Sequence, residues 1–218
     1  AGLQADSSVL HKYNDGLLLH VHPIGSNQDT LVPVAATTGM DYTYDNDDNS
    51  GSQWVTKREV HKGNLDFDYF KVGTSEPFFM EMKFSIGDVS DTDDCVFGFR
   101  KVEDFTAAVD DYNDMAGFNI VEGKVNVESI RNNNATTSSH VHNWADGETH
   151  TVAVLVDKSG HVTYEYDGAL ITGSHPSRAS ASFDTDEEVT PFGYHIQKGN
   201  TDPTIIYQSL SFGLQRNR

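Results

Sequence analysis

The chain has 218 residues, of which 33 are acidic and 15 are Lys or Arg, so its formal net charge is −18 at pH 7. This charge would repel the phosphates of nucleic acids, and it favours neutral or cationic partners in a salty, for example marine, medium that screens self-repulsion. The single cysteine, Cys95, excludes an intrachain disulfide, and no run of about 18 apolar residues predicts a membrane span.

Residues 1–40 are predicted to form an N-terminal arm, followed by one domain over residues 41–218. Two short apolar stretches of the arm contain or precede proline, which excludes a central position in a sheet. An apolar arm beside a domain can pack on a neighbouring subunit. The predicted partner contacts in the arm are Leu17, Leu18, Leu19 and Val32.

His20-Val21-His22 and His140-Val141-His142 are two pairs of alternating histidines. In a strand, both imidazoles of a pair would lie on one face, as in metal sites of β-proteins. A zinc or iron site needs three or four convergent ligands, and the sequence alone does not bring them together. Each pair therefore stays open between a metal site and ordinary surface histidines.

A dense acidic loop follows at residues 45–51. Its oxygen ligands alternate as in a calcium loop, at Asp45, Asp47 and Asn49. An EF-hand loop would need Gly at its sixth position and Glu at its twelfth, whereas Ser50 and Thr56 stand there. The loop is therefore not an EF-hand, and both a structural Ca²⁺ site of irregular geometry and a solvated polar turn remain open.

Tyr44 and Trp54 flank this loop. Exposed aromatic rings stack on sugar rings, and they also occur in subunit contacts. Both residues are therefore candidate contacts for a carbohydrate or a protein partner.

Residues 78–86 alternate apolar and polar side chains, which predicts a core strand. The run from Cys95 to Arg100 is predicted to be its pairing partner, reached through a second acidic loop. That loop contains Asp91 and Asp93, which are further candidate ligands for Ca²⁺.

One short helix is predicted behind Asp104, because apolar residues recur there at spacings of three and four. These residues are Phe105, Ala108, Val109, Tyr112 and Met115. Residues 118–130 then predict a hairpin around Glu122-Gly123-Lys124. Near the end of the chain, Ile206, Leu210 and Phe212 are predicted to share one face of a closing strand.

Trp144 to Gly168 reads as a complete hairpin with its entry and exit turns. Thr149 to Val156 is rich in β-branched residues, Asp157 to Gly160 has turn composition, and the returning segment alternates. The stretch resembles the late hairpin of laminin-G-like and concanavalin-like jelly rolls. The resemblance implies an all-β fold, an antiparallel β-sandwich (jelly roll, concanavalin-like), here with one short helix and an N-terminal arm.

Two enzyme classes are known on this fold. Laminarinase-type glycosidases carry E-x-D-x-x-E on one strand, and the nearest match, Glu165-Tyr166-Asp167, lacks the second Glu. Tyr69-Phe70-Lys71-Val72-Gly73 resembles the Y-F-K-A-G of jelly-roll alginate lyases, but it lies far from the C-terminal position that the motif has in that family. The charge of −18 also disfavours a polyuronate substrate.

The segment from residue 91 to 168, about a third of the chain, is similar to virion structural proteins of marine tailed phages. The similarity is carried by Asp93-Asp94-Cys95, Gly98-Phe99-Arg100-Lys101, Asp110-Asp111-Tyr112-Asn113 and Trp144-Ala145-Asp146-Gly147-Glu148. It implies a non-enzymatic capsid decoration or cement protein, made in the host bacterial cytoplasm. Such a protein works on the capsid surface by assembly with the major capsid protein and with itself as a homo-oligomer, and it requires no cofactor.

Two alternatives of other classes remain open. The first is a calcium-assisted, lectin-like carbohydrate-binding module that uses Trp54 and the acidic loop. The second is a polysaccharide lyase.

Overall fold

A computed structural model of the protein describes residues 9–13, 17–25, 34–42, 49–59, 65–67, 69–172, 182–199 and 203–215. Nearly all regular structure in these ranges is β-strand, as the composition of the predicted segments indicated. The strands are β1 (Val9–Tyr13), β2 (Leu17–Ile24), β3 (Val34–Ala36), β4 (Gly39–Asp41), β5 (Gly51–Glu59), β6 (Leu65–Phe67), β7 (Phe70–Lys71), β8 (Phe78–Ile86), β9 (Thr92–Lys101), β10 (Met115–Val121), β11 (Lys124–Ile130), β12 (Thr137–Asn143), β13 (Thr149–Val156), β14 (Val162–Tyr166), β15 (Ala169–Leu170), β16 (Glu188–Gln197) and β17 (Ile205–Leu214).

The strands form two antiparallel sheets. The ten-stranded sheet has the order β1-β2-β5-β16-β9-β10-β11-β12, and the short strands β6 and β7 pair with β5 and β16. The seven-stranded sheet has the order β15-β14-β13-β8-β17-β4-β3. The concanavalin-like β-sandwich is thus confirmed as the fold class.

Apolar side chains between the two sheets form the main core. Strand β8 contributes Phe78, Met80, Met82, Phe84 and Ile86, which alternate with partly exposed or exposed residues. Across the sandwich, strand β9 contributes residues of odd number to the same core. The even-numbered residues of β9 point the opposite way, and several are buried as well. Something must therefore cover the outer face of the ten-stranded sheet.

That cover is the irregular segment 102–114, here called the covering loop. The predicted short helix in this region was wrong: the segment has only one 3-10 turn, Val109–Asp111. Its spaced apolar residues do pack on one surface, but side-chain bonds fix a different backbone. Asn113 donates its backbone N–H and its side-chain amide to the carboxylate of Glu103, which folds the loop back on itself.

The predicted pairing of residues 78–86 with 95–100 was also wrong. Strand β8 pairs with β13 and β17, whereas β9 lies in the opposite sheet and pairs with β10 and β16. Hydrophobic alternation identifies a buried strand, but it carries no information on which strand lies beside it.

The two predicted hairpins are present. In the first, β10 and β11 are joined by Glu122 and Gly123, both with positive φ, as a two-residue hairpin turn requires. In the second, β13 and β14 enclose the turn around Asp157, whose carboxylate accepts the N–H groups of Ser159 and His161 at 2.7 and 3.0 Å. These side-chain bonds explain why the local sequence was sufficient to predict the turn.

The shared face predicted for Ile206, Leu210 and Phe212 was wrong for Ile206. The register of β17 against β8 shifts between Tyr207 and Ser209. Before the shift, Ile205 and Tyr207 are buried; after it, Leu210 and Phe212 face the core. One extra residue in a strand reverses the phase of everything that follows.

Part of the segment predicted as an arm belongs to the sandwich. Strand β2 pairs along its length with β5, from Leu17 opposite Arg58 to Ile24 opposite Gly51. Pro23 pairs with Ser52 of β5, two residues beyond Val21, which lies opposite Val9 in the last described pair with β1. Within the described ranges, no helix is long and apolar enough to cross a bilayer.

Candidate functional site

The outer face of the ten-stranded sheet is the face turned away from the seven-stranded sheet, and it has two halves. Over β2, β5 and β16 it is apolar and closed by the covering loop, with a second buried cluster that includes Val55, Tyr112, Phe192 and Tyr194. Over β9 to β12 it carries polar side chains, except where Val96, Met115 and Ile130 join the apolar cluster. The second half is the candidate site.

Aromatic stacking and hydrogen bonds hold the covering loop on the first half. The Phe105 ring stacks on the imidazole of His22 with centroids 4.9 Å apart. Gln53 Nε2 and Tyr194 Oη donate hydrogen bonds to carbonyl oxygens of the loop at 2.6 and 2.8 Å. This half is therefore filled by the chain's own residues.

Arg100 anchors the start of the covering loop from below. Its side chain is buried, and its guanidinium lies 4.5 Å from the centre of the Tyr112 ring. Arg100 Nη1 donates to the carbonyl oxygens of Lys101 and Glu103, each at 2.9 Å. Burial lowers the pKa of Arg100, but carbonyl dipoles and the aromatic face compensate its charge.

On the second half, four side chains from successive strands form a hydrogen-bonded row, here called the polar row: Asp94 on β9, Asn119 on β10, Glu128 on β11 and Ser138 on β12. Asn119 Nδ2 donates to Asp94 Oδ1 at 2.6 Å and to Glu128 Oε2 at 2.9 Å. Ser138 Oγ donates to Glu128 Oε1 at 2.8 Å. The phase of each strand turns these side chains outward, because their sequence neighbours Cys95, Phe118 and Val127 belong to the main core.

The polar row is recessed at its centre and open at its ends. Asn119 and Glu128 are only 2% and 7% exposed, whereas Ser138 is exposed and Asp94 is partly exposed. Asp110, at the tip of the covering loop, is exposed beside the row and bonds to Thr136. The row is therefore the floor of a site whose rim consists of the loop tip and the end of β12.

Burial raises the pKa of both carboxyl groups in the row. It raises the pKa of Asp94 to about 6, with the amide of Asn119 opposing the shift and the nearby charge of Glu128 adding to it. The pKa of Glu128 is also raised by burial, and the charge of Asp110 raises both values. Asp94 thus exchanges its proton near pH 6.

The row is rich in hydrogen-bond acceptors. The carboxylates of Asp94 and Glu128 accept hydrogen bonds from the same amide nitrogen, at 2.6 and 2.9 Å. Their contacting oxygens therefore lie close to each other. A carboxylate has about four acceptor positions, and Asn119 and Ser138 fill only some of them. A ligand with hydroxyl or ammonium donors would complete this pattern.

A second polar region is a cavity of about 450 Å³ between Lys101 and residues 184–188. There Lys101 Nζ lies 3.2 Å from Glu187 Oε1 and 3.5 Å from the buried carboxylate of Asp114. Burial and the charge of Asp114 raise the pKa of Glu187 to about 6. The charged groups of this cavity already pair with one another. They are therefore suited to joining β9, the start of β10 and the segment that precedes β16.

Two residues predicted as ligand or partner contacts are buried in the main core. Trp54 is 1% exposed and its Nε1 donates to Tyr207 Oη at 3.3 Å, so its ring is not available to stack on a sugar. Leu19 is fully buried. The reason is strand phase, since both side chains point toward the seven-stranded sheet. Leu17 and Leu18 are described only as backbone of β2.

The predicted calcium ligands do not come together in the described ranges. Tyr44, Asp45, Asp47 and Val32 lie outside them, and Asn49 is an exposed residue with φ of 61°. Asp91 is partly buried in a 3-10 turn and Asp93 is exposed on β9. No group of three or more His, Cys, Asp or Glu that could hold a metal ion exists among the residues described, the histidine pairs included.

Sequence reasoning missed the polar row. Residues 118–130 were correctly predicted as a hairpin, and strand alternation places Asn119 and Glu128 on the face opposite the core residues of that hairpin. The available signal was that polar side chains of both strands share this face, with Asn119 opposite Asn126 and Glu128 two residues further along β11. Asp94 could not be added, because its neighbourhood depends on the pairing of β9 with β10.

No protein family model matches the chain, and no curated protein matches it. Solved structures share its fold. A protein of unknown function from Shewanella oneidensis MR-1 is 9% identical, with a TM-score of 0.55, over 97% of this chain and 95% of that one.

Two further structures have descriptions that mention carbohydrate. An alginate lyase from Pseudomonas aeruginosa is 12% identical, with a TM-score of 0.54, over 83% of this chain and 84% of that one. The potassium-bound carbohydrate recognition domain of Emp46p is 7% identical, with a TM-score of 0.54, over 79% and 82%. At these identities, the comparisons show the concanavalin-like sandwich and nothing finer.

Proposed function

We propose that this protein is a carbohydrate-binding module that binds saccharide hydroxyls at the polar row. The observation that carries the proposal is the arrangement of Asp94, Asn119 and Glu128, in which a partly exposed carboxylate and a buried one share one amide donor. Carbohydrates present several hydroxyl donors at short spacing, and a carboxylate oxygen that already accepts one hydrogen bond can accept a second.

The charge of the row restricts the type of saccharide. Asp110 stands beside Asp94 and Glu128, and the whole chain carries −18. Coulomb repulsion in this partly desolvated site disfavours uronates and sulfated sugars. Neutral or amino sugars are therefore the proposed ligands.

The fold neighbours support this class of function without assigning it. A carbohydrate recognition domain and an alginate lyase share the sandwich, so the scaffold is compatible with saccharides. The exposed half of the outer face is the part of this chain where a ligand would meet polar groups rather than the covering loop.

A glycan array followed by calorimetry with the best ligand tests the proposal. Glu128→Gln and Asp94→Asn keep the shape of the row and remove its charges, and each is expected to weaken binding about tenfold or more. Glu76→Gln is the matched control, because Glu76 is exposed and its ion pair among the described residues is with Lys158, at 3.6 Å. Full-strength binding by both row variants, or binding to no saccharide, would overturn the proposal.

Calcium assistance is a separate prediction that rests on Asp45, Asp47 and Asn49. The described residues form no metal site, so the saccharide contacts proposed at the polar row do not include a calcium ion. Repeating the calorimetry with EDTA tests it: loss of binding that added Ca²⁺ restores would support calcium assistance, and unchanged binding would reject it.

The capsid decoration role, the location on the virion and the lack of enzymatic activity stay predictions. They rest on the resemblance of residues 91–168, and the structure has no feature specific to a capsid. The lyase alternative rests on Tyr69, which is half exposed, and on Lys71, which pairs with Asp186 at 3.6 Å. Ultraviolet-absorbing unsaturated products from alginate would support that alternative.

A further inference from the structure

In the described ranges the main paths of the two sheets end at four edge strands, and three of these are short or contain lysine. Strand β3 has three residues and β15 has two. Strand β1 has five and includes Lys12. Short edge strands and lysine are two devices by which proteins prevent a sheet from pairing with another chain.

The fourth edge, β12, is neither short nor protected by lysine, and its pairing with β11 has one register shift, at Val125 and Asn126. It is seven residues long, Thr-Ser-Ser-His-Val-His-Asn, with no proline and no Asp, Glu, Lys or Arg. Within the described ranges it pairs only with β11, and its other side is an open ladder. Unpaired N–H and C=O groups along such a strand can accept a further strand.

An apolar ledge lies beside this edge. A cavity of about 410 Å³ between β12 and β15 is lined by His140, Val141, His142 and residues 169–172. Leu170 is 48% exposed, one of two large hydrophobic side chains that are exposed in the described ranges. A strand added to β12 would gain contact with this ledge as well as backbone hydrogen bonds.

Charge indicates which strand would be added. Two copies of a chain with a charge of −18 repel each other over most of their surfaces. The β12 edge is uncharged by sequence, so it is the long edge at which a second copy meets least repulsion. An antiparallel pair of identical strands is also closed by a two-fold axis, the commonest symmetry of oligomers.

We propose that two copies of this protein pair antiparallel along β12, joining their ten-stranded sheets into one continuous sheet. With the two-fold axis near the middle of the strand, His140 lies close to His140 of the second copy. Ser138 of each copy stays on the outer face, so both polar rows lie on the same side of the joined sheet. The proposal does not depend on saccharide binding.

A single strand edge with a small ledge buries less than the roughly 800 Å² per partner of a standard interface. The association is therefore expected to be weak, with a dissociation constant on the order of tens of micromolar. It should strengthen with salt, because at about 1 M ions screen charges beyond roughly 3 Å.

Sedimentation velocity from about 5 to about 500 µM tests the pairing. The wild type is expected to shift from monomer toward dimer with concentration. His140→Glu places two like charges near the axis and should keep the protein monomeric. His161→Glu is the matched control, since it makes the same change in composition on an exposed turn residue and should dimerise like the wild type.

Hydrogen exchange of the wild-type protein provides a readout that needs no variant. Amides of residues 137–143 are expected to become more protected at high concentration, while those of β13 keep their exchange rates. A monomer at every concentration and salt would overturn the proposal. So would a dimer that His140→Glu leaves intact, or one that protects a different surface.

Discussion

Gly193 and Trp54 lie opposite each other on the paired strands β16 and β5. The indole ring covers Gly193 so closely that a Cβ there would overlap ring atoms. Trp54 in turn contacts Phe97 and Tyr207, with centroids 6.3 Å away in each case. The glycine is therefore a packing requirement of the main core rather than of a turn.

We expect Gly193→Ala to lower the free energy of unfolding by about 2–3 kcal/mol, because the indole must shift within a close-packed core. Urea unfolding followed by tryptophan fluorescence measures it. Gly213→Ala is the matched control, since a Cβ there meets only Phe79, at an ordinary 3.8 Å. Equal effects of the two substitutions would contradict the packing explanation.

The ionisation of Asp94 predicts how the free energy of unfolding depends on pH. Its pKa is raised from 3.8 to about 6 by burial, so between these values the folded protein holds a proton that the unfolded chain releases. Its contribution to stability is therefore fully present below about pH 4 and falls as pH rises through 6. Above pH 6 the charged Asp94 opposes folding.

We expect Asp94→Asn to raise the free energy of unfolding at pH 7 by on the order of 1–2 kcal/mol, with allowance for solvent screening, and to flatten its slope between pH 4 and 6. Chemical unfolding at several pH values measures both quantities. A smaller slope should remain, because Glu187 also has a pKa of about 6. An unchanged slope would show that Asp94 does not ionise in this window.

At the scale of elements, the covering loop decides which half of the outer face is accessible. Tyr194 Oη holds it through one hydrogen bond of 2.8 Å to Ala107 O, and Phe105 packs beneath it. We expect Tyr194→Phe to cost about 1 kcal/mol. Amide exchange in residues 103–112 should become faster, while that in β13 should not change.

Tyr69→Phe is the control for this substitution, because it removes the same hydroxyl from a tyrosine that is half exposed. It should leave both stability and loop exchange unchanged. If Tyr194→Phe left exchange in residues 103–112 unaltered, the hydrogen bond would not be what keeps the loop closed.

Elements were predictable from sequence where their determinants are local. The turns at Asp157 and Gly123 are specified by neighbouring side chains and by positive φ, so both hairpins could be predicted. The partner of β8 and the shape of the covering loop depend on contacts distant in sequence. The polar row was missed for the same reason, because it combines four strands whose order no local pattern contains.

At the scale of the whole molecule, the two proposals together imply bivalent binding. Pairing along β12 would place two polar rows on one face, each reaching the shared edge through Ser138. Two linked sites bind a polymer more tightly than one, because the second binding event becomes intramolecular.

We therefore expect the wild type to bind a surface coated with the polymeric saccharide about tenfold to a hundredfold more tightly than His140→Glu does. For a short oligosaccharide in solution, the affinities of the two proteins should be equal, because each site binds alone. Surface plasmon resonance with the immobilised polymer and calorimetry with the oligosaccharide measure the two cases. If the two proteins bound the polymer equally, pairing along β12 would not supply a second site. The polar row could still bind saccharide in that case.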